Sequence, residues 1–499
     1  MDLDAFLRDL KLSGGRRQYL LFEAFIIDIL NEYLRKQQKE FIPYYIYKND
    51  KGTKLEYDGY APNGIDKLLG PTSIEITFSD NRKALKDKLL GYIYKNKQNP
   101  AINSMLFING YKLPNEFKDE IIHYSQLNGL NANVWDTTDL SAILEKYEDI
   151  QIENIHDLSE IIINRTVSHS LEQEPDEWKA KRDEQIYQLN KIYKNSGIII
   201  FLGAGISKDR GIPEWGELIS DLFFALISEK LNSTDIQINN DESAFLIKEL
   251  KEMNDSSPLI LASYIREGLD ESFSTLLSSV LYKRVIRDES GLLKSLSNLC
   301  LPRRNGRGGV KAVVTYNFDD ILETIFQEKG IDSKPIYKKA DIPSQDELGI
   351  YHVHGFLPKK TEEYEDLSES LLVFSEDGYH SLLLNPYSWQ NLVQLNFLRE
   401  YTCVMIGLSM TDPNLRRLLT IPDLSKETPR HFAILKRSLY RTNNNIAENS
   451  NIRQDVIRAF LDVNQNLQED SFKQLGLNII WIDDYSEVPV ILDLIRNNR

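Results

Sequence analysis

A chain of 499 residues, 41% apolar and 27% charged, is too long for a single hydrophobic core and ordinary enough in composition to build about two or three. No stretch reaches the 18 or so unbroken apolar residues of a membrane helix, and the start Met1-Asp2-Leu3-Asp4 is acidic where a secretory leader is basic, so a cytoplasmic protein away from the membrane is expected. The net charge of −16 falls almost wholly after residue 150, because the first 150 residues carry 20 Lys and Arg against 22 Asp and Glu; this speaks against sequence-independent nucleic-acid binding by the acidic remainder and leaves it open for the first part.

In chain order, residues 16–37 predict a long amphipathic helix with Leu20, Phe22, Ile26, Ile29, Leu30 and Tyr33 on a wide apolar face. Short strands are predicted at 41–47, 56–60 and 73–78, then a basic helix with Arg82, Lys83, Lys86 and Lys88, then strands at 104–108 and 133–135 separated by a helix. This is an α/β arrangement. The polar, acidic, proline-containing stretch 171–177 marks a joint. The expected organisation is a first domain over 1–165, a linker over 166–177 and a second domain over 178–499. The two cysteines, Cys300 and Cys403, lie in apolar surroundings more than a hundred residues apart and read as core residues of a protein in a reducing compartment.

After a helix over 178–193, strands are predicted at 198–202, 310–315, 349–353, 371–374, 403–406, 432–435 and 477–482, with helical patterns between them. That alternation is the signature of a parallel sheet covered on both faces. Residues of about 216–300 read as a mostly helical module over the sheet's ligand crevice, and Asn443-Asn444-Asn445 as a loop. The strand at 198–202 breaks into Gly203-Ala204-Gly205-Ile206-Ser207, where glycines permit close backbone approach. Lys208 stands where the third glycine of the dinucleotide fingerprint belongs, so this turn alone is a weak signal. Four further groups follow: Gly211-Ile212-Pro213, Thr315-Tyr316-Asn317-Phe318-Asp319, Tyr351-His352-Val353-His354-Gly355 and Ile406-Gly407-Leu408-Ser409. Taken singly, Asn317 to Asp320 could merely cap a helix over 321–328, and each histidine could be a hydrogen-bonded strand-end residue.

In this order the motifs resemble those of the sirtuin family, over about residues 196–436. The resemblance implies a Rossmann-type parallel sheet that binds NAD. It implies cofactor contacts from Gly203, Ala204, Gly205, Ser207, Pro213 and Thr315, the first four at the pyrophosphate, and from Gly407 and Ser409 at the adenosine half. Asn317 would orient the ribose or the attacking water, Asp319 would lie near the nicotinamide amide or the developing charge, and His354 would take a proton. Two departures matter. Deacetylating sirtuins carry a four-cysteine zinc module, which two distant cysteines cannot build, so no structural zinc is expected. The family's Asp-Phe-Arg after Gly-Ile-Pro is here Glu214-Trp215-Gly216. The pattern is similar to the bacterial SIR2-like domains of anti-phage defence, which implies an NAD glycohydrolase releasing nicotinamide and ADP-ribose. Protein deacylation or ADP-ribosyl transfer is the alternative.

In the first domain, Asp58-Gly59-Tyr60-Ala61-Pro62, Ile65-Asp66 and Ile74-Glu75-Ile76-Thr77 resemble the core of a restriction-endonuclease-type domain, in which an Asp and a following Glu-x-Lys hold a divalent metal. Asp58 or Asp66 and Glu75 match the carboxylates that would bind Mg²⁺, with Glu23 as an outer one. Thr77 stands in the lysine's place, and Lys83 or Lys86 would have to reach in instead. The expected role is therefore an interaction scaffold, with nucleic-acid processing as the alternative. A cytosolic NAD hydrolase must also be restrained, so a homo-oligomer is expected, switched on by a phage component or a HerA-type ATPase.

Overall fold

The computed structural model describes residues 15–48, 54–147, 177–232, 258–269, 272–286, 291–303, 308–421, 429–438 and 453–497, with scattered positions before residue 11, within 163–170 and within 239–245. Of the predicted joint at 171–177, Glu177 already begins a helix and residues 171–176 lie outside the described residues, as do the loop Asn443-Asn444-Asn445 and much of the predicted helical module between 233 and 257. The chain divides into two compact units, with the change at Glu172 and Gln173.

The first unit begins with α1 (Gly15–Lys36), whose apolar face, including Phe22, Ile26, Ile29 and Leu30, is fully buried. Short strands follow: β1 (Ile42–Pro43), β2 (Ile46–Lys48), β3 (Lys54–Glu56) and β4 (Gly59–Ala61). Then come β5 (Thr72–Thr77), α2 (Arg82–Lys97), β6 (Ser104–Asn109), α3 (Asn115–Leu127), β7 (Asn131–Trp135) and α4 (Thr137–Lys146). The sheet order is β1-β4-β5-β6-β7, with β1, β4 and β5 antiparallel and β5, β6 and β7 parallel. β5 and β6 are buried at every position; β6 accordingly reads as a continuous apolar run, whereas β5 buries Thr72, Ser73, Glu75 and Thr77 along with its two isoleucines.

The second unit starts at α5 (Glu177–Asn195) and β8 (Ile198–Leu202), then α6 (Trp215–Asn232), α7 (Pro258–Leu269), α8 (Phe273–Leu281) and α9 (Gly291–Cys300). It continues through β9 (Val310–Thr315), α10 (Ile321–Glu328), β10 (Ser333–Ile336), β11 (Leu348–His352), α11 (Glu376–Leu384) and α12 (Trp389–Glu400). The last elements are β12 (Thr402–Ile406), α13 (Pro413–Thr420), β13 (His431–Lys436), α14 (Gln454–Gln474), β14 (Leu477–Ile482) and α15 (Glu487–Asn497). The seven strands form one parallel sheet in the order β10-β11-β9-β8-β12-β13-β14. Alternate residues of β8 feed two cores: Ile198, Ile200 and Leu202 meet α5, α9, α10 and α15 on one face, while Ile199 and Phe201 meet α12 and α13 on the other. Each large side chain buried in this way contributes about 1.5–3 kcal/mol, so the two layers hold the strand ends far more firmly than any single polar contact there.

From β8 the chain runs outward through β9 to β11, then returns to the opposite side of β8 at β12. This reversal puts the topological switch point of the sheet at the carboxyl ends of β8 and β12, the usual ligand position in an open α/β sheet.

Three expectations change. Residues 371–374 are not a strand: Val373 donates its N–H to the His354 carbonyl at 2.7 Å and Phe374 is buried, so this apolar run seals a loop over the sheet end. β10 was not foreseen, because Lys334 and Pro335 break any strand pattern; as the outer strand it pairs only with β11 among the described residues. The predicted module ends too late, since α9 packs with α15 in the layer covering the sheet.

Candidate active site at the switch point of the sheet

The turn after β8 and the loop after β12 meet backbone to backbone. Gly203 N–H donates to Ile406 O at 3.1 Å and Gly205 N–H to Gly407 O at 3.2 Å. A Cβ on Gly203 would lie 2.5 Å from Gly407 O, and one on Gly205 3.0 Å from Gly407 Cα. These glycines are thus required by the seam between two loops. Ser207 N–H is likewise bonded, to Ala204 O at 3.2 Å. The amides of Gly203, Gly205 and Ser207 are committed within the protein, which corrects the expectation that all of them face a pyrophosphate. Two single 3₁₀ turns, Ala204–Ile206 and Lys208–Arg210, occupy the place where a helix start would have offered free N–H groups. Pro213 is buried beyond them. Ser409 is exposed and its hydroxyl pairs with Thr411 at 2.6 Å.

The strand ends of β8 and β9 are tied by side chains. Ser207 Oγ donates to Asp319 Oδ1 at 3.1 Å and accepts from Asn317 Nδ2 at 3.2 Å. Thr315 Oγ1 accepts the Asn317 N–H at 3.1 Å, and Asp319 Oδ1 also takes the Ile321 N–H at 3.1 Å. Asp319 therefore serves the start of α10 as well as the crevice, so part of the capping alternative is realised. Burial pushes its carboxyl up to about 6, with Glu323 and Asp320 adding to the effect and the bonds from Ile321 and Ser207 opposing it.

The two histidines of the β11 motif separate by environment. His352 places Nε2 at 2.7 Å from Glu323 Oε1 and Nδ1 at 3.2 Å from Asn317 O. It therefore supports the backbone of Asn317 from behind. His354 is 5% exposed, with its ring edge-on to Tyr316 at 4.5 Å and Tyr379 at 5.5 Å. Burial holds its imidazole below the ordinary 6.5 and Asp412 partly offsets this, so the neutral, proton-accepting form is favoured at neutral pH.

Sequence reasoning missed five neighbours of this site. Asp320, Glu323, Tyr379 and Asp412 are four of them; Tyr282, whose hydroxyl lies 2.9 Å from Asp320 Oδ1 and 2.8 Å from Leu357 O, is the fifth. Asp320 was read only as part of a helix cap, and Asp412 carried a similar signal, since Asp before Pro413 is a helix-start signature. Cys300 and Cys403 are free, buried, and have thiols raised by burial, which makes them inert core groups.

In the first unit, Asp58 accepts the Ile76 N–H at 2.7 Å and its charge reaches Glu75, as does that of Glu23. Asp66 instead accepts the Tyr33 hydroxyl. The lysine that reaches Glu75 is Lys95, at 2.5 Å, and Lys88 is the one that senses Asp58; burial brings its amine down to about 8. Lys86 pairs with Glu120 and Lys83 is exposed, so neither fills the place expected of it. Thr77 is buried and bonded to Ile108 O and Asn109 Oδ1. Among the described residues, no group of three or more His, Cys, Asp or Glu is placed to hold a metal ion. Burial raises the Glu75 carboxyl from the ordinary 4.5 to about 8, against Lys95. Because the folded value lies above the unfolded one, the first unit should be most stable below about pH 4.5 as far as this group is concerned, and lose stability as pH rises toward and through 8. Glu75→Gln should flatten that decline, measured as the midpoint of the first unit's thermal transition between pH 5 and 9.

Residues 311–454 match the family model of the SIR2-like domain. A curated protein of Enterococcus faecium, the NAD(+) hydrolase ThsA, is 23% identical over 317 residues, covering 62% of this chain. The chain spans 57% of that relative's length. Among the described residues, no helix is long and apolar enough to cross a membrane.

Proposed function

We propose that the second unit hydrolyses the N-glycosidic bond of NAD, releasing nicotinamide and ADP-ribose, and that the chain serves anti-phage defence by depleting NAD. The observation that carries this reading is that Asn317 and Asp319 meet at Ser207 after β8 and that His354 packs on the adjacent Tyr316, in a parallel sheet whose residues 311–454 match the family model of the SIR2-like domain. The name of the Enterococcus faecium relative supports it.

Nicotinamide leaves with the electron pair of the C–N bond, and its ring nitrogen needs no proton. The demands on the protein are to hold the ribose while positive charge builds at the anomeric carbon and to deliver water to that carbon. Asn317, fixed by Ser207 and by its own N–H to Thr315, orients the ribose or the water. Asp319 supplies negative charge beside the reacting sugar. Water adds to the anomeric carbon as its proton passes to His354, which the buried, neutral imidazole can accept. Pro213, Gly407 and Ser409 are assigned to the remaining NAD contacts.

Incubation of the full chain with NAD should give nicotinamide and ADP-ribose in equal amounts, unchanged by acetylated peptide, and Asn317→Ala should slow turnover by about 10²-fold or more. Acetyl transfer from the peptide to the ADP-ribose product would establish the deacylase alternative instead. The first unit, read from its sequence as restriction-endonuclease-like, is assigned the restraining contacts of a homo-oligomer that a phage component or a HerA-type ATPase releases.

A further inference from the structure

We propose that Asp412 positions His354 for proton transfer, its carboxylate facing Nε2–H so that the lone pair of Nδ1 is the one presented to the reacting water. This deepens the reading of His354 as the proton acceptor and rests on it. Asp412 lies at the start of α13, outside every motif that pointed to the site.

The geometry is that of a clamped carboxylate facing an unsatisfied ring nitrogen. Asp412 Oδ1 caps α13 by accepting the Leu415 N–H at 2.7 Å, with Pro413 in the first turn. Asp412 Oδ2 accepts the Tyr379 hydroxyl at 2.9 Å. Both oxygens are thereby fixed, and Oδ2 stands 3.6 Å from His354 Nε2. That separation is too long for a hydrogen bond. Among the described residues His354 Nε2 is nevertheless buried with no hydrogen bond, a state that costs free energy and calls for a reason. The ring cannot turn away easily. Tyr316 and Tyr379 stand edge-on to it, and the His354 carbonyl accepts the Val373 N–H at 2.7 Å. Gly355, at φ +107°, makes the turn immediately after it, and a Cβ there would meet Leu371 O at 2.6 Å.

The titratable groups that face the imidazole are Asp412 from the start of α13, Tyr379 from α11 and Tyr316 from the end of β9. Burial raises both tyrosine hydroxyls, so neither competes as a base. His352, the neighbour on β11, is turned to Glu323 and Asn317 instead. Asp412 is therefore the anion that meets the imidazolium when the proton arrives at Nδ1. Contacts of this kind shorten as charge develops, which here needs a movement of about 0.5 Å or more.

The test must separate the cap from the charge. Asp412→Asn keeps a side chain that caps helices well and removes the anion. In the full chain this variant should lower kcat for NAD by about 10–10²-fold with KM changed less than about twofold. The acidic limb of its kcat/KM profile should move to lower pH, because Asp412 is what holds the His354 value up against burial. Tyr379→Phe, which loosens Oδ2 but keeps the anion, should lower kcat by a smaller factor without moving the acidic limb to lower pH. Nitrogen-15 NMR of labelled histidine reads the same inference without turnover, with the His354 signal assigned by its loss in His354→Gln. The expected result is an Nε2–H tautomer whose titration midpoint falls in Asp412→Asn. An Nδ1–H tautomer, or a midpoint and kcat that do not change in Asp412→Asn, overturns the proposal. If the chain leaves NAD intact while the tautomer and the Asp412-dependent midpoint are found, the positioning stands and the hydrolase reading falls.

Discussion

Replacing His354 by alanine should lower the rate of NAD cleavage by about 10²–10⁴-fold, the usual cost of removing a positioned proton acceptor. The loss should fall on kcat rather than KM, because the role proposed for the imidazole is on the reacting water and not on the bulk of the dinucleotide. Folding should be little affected at the backbone, since the Val373 N–H bonds the His354 carbonyl and not its ring. Truncation of the buried ring leaves a space between Tyr316 and Tyr379, and a cost of about 1–3 kcal/mol is expected. Circular dichroism with thermal melting distinguishes this modest loss of stability from loss of catalysis. A variant that folds and cleaves NAD at the parent rate would mean that the proton goes elsewhere.

Gly203→Ala should be nearly as damaging, for a different reason. Its new Cβ would lie 2.5 Å from Gly407 O and 2.6 Å from Leu408 Cδ2, so the two loops must part. Forcing one carbon into such a seam costs about 1–3 kcal/mol. The greater effect should be on turnover, because Ser207, four residues further on, holds both Asn317 and Asp319, and a displacement of about 1 Å at a reacting group can cost 10²-fold. Gly216→Ala is the matched control. Nothing lies within 4 Å of a Cβ at that position in α6, and activity and melting temperature should both be retained. Equal behaviour of the two variants would show that the seam tolerates separation.

The parallel sheet was largely legible in the sequence because fully buried strands such as β8 and β12 are short unbroken apolar runs bounded by glycine, a pattern set by the chain itself. Residues 371–374 have the same local pattern, Leu371-Leu372-Val373-Phe374, yet fold as a sealing loop. Whether such a run joins a sheet depends on partners that no local pattern shows. The site was legible where its residues sit in compact motifs, as with Asn317 and Asp319, but not where it is assembled across distance. Tyr379 reaches the site from α11 and Tyr282 from the turn just after α8, segments far from the motifs in the sequence. The lysines of α2 were misjudged for a simpler reason. Lys88, Tyr92 and Lys95 share one face at helical spacing and turn to Asp58 and Glu75, while Lys86 and Lys83 point elsewhere. Closeness to Thr77 in the sequence was a poorer guide than the 3.6-residue period.

The outer strand β10 bears on how copies of the chain can associate. It is four residues long and contains Pro335, which has no N–H to give a further strand. Short edge strands carrying proline are a common guard against open-ended sheet growth. Any assembly of this chain should therefore not extend the sheet through that edge, and its filaments, if it forms them, should lack the roughly 4.7 Å repeat that continued strand stacking imposes on fibre diffraction.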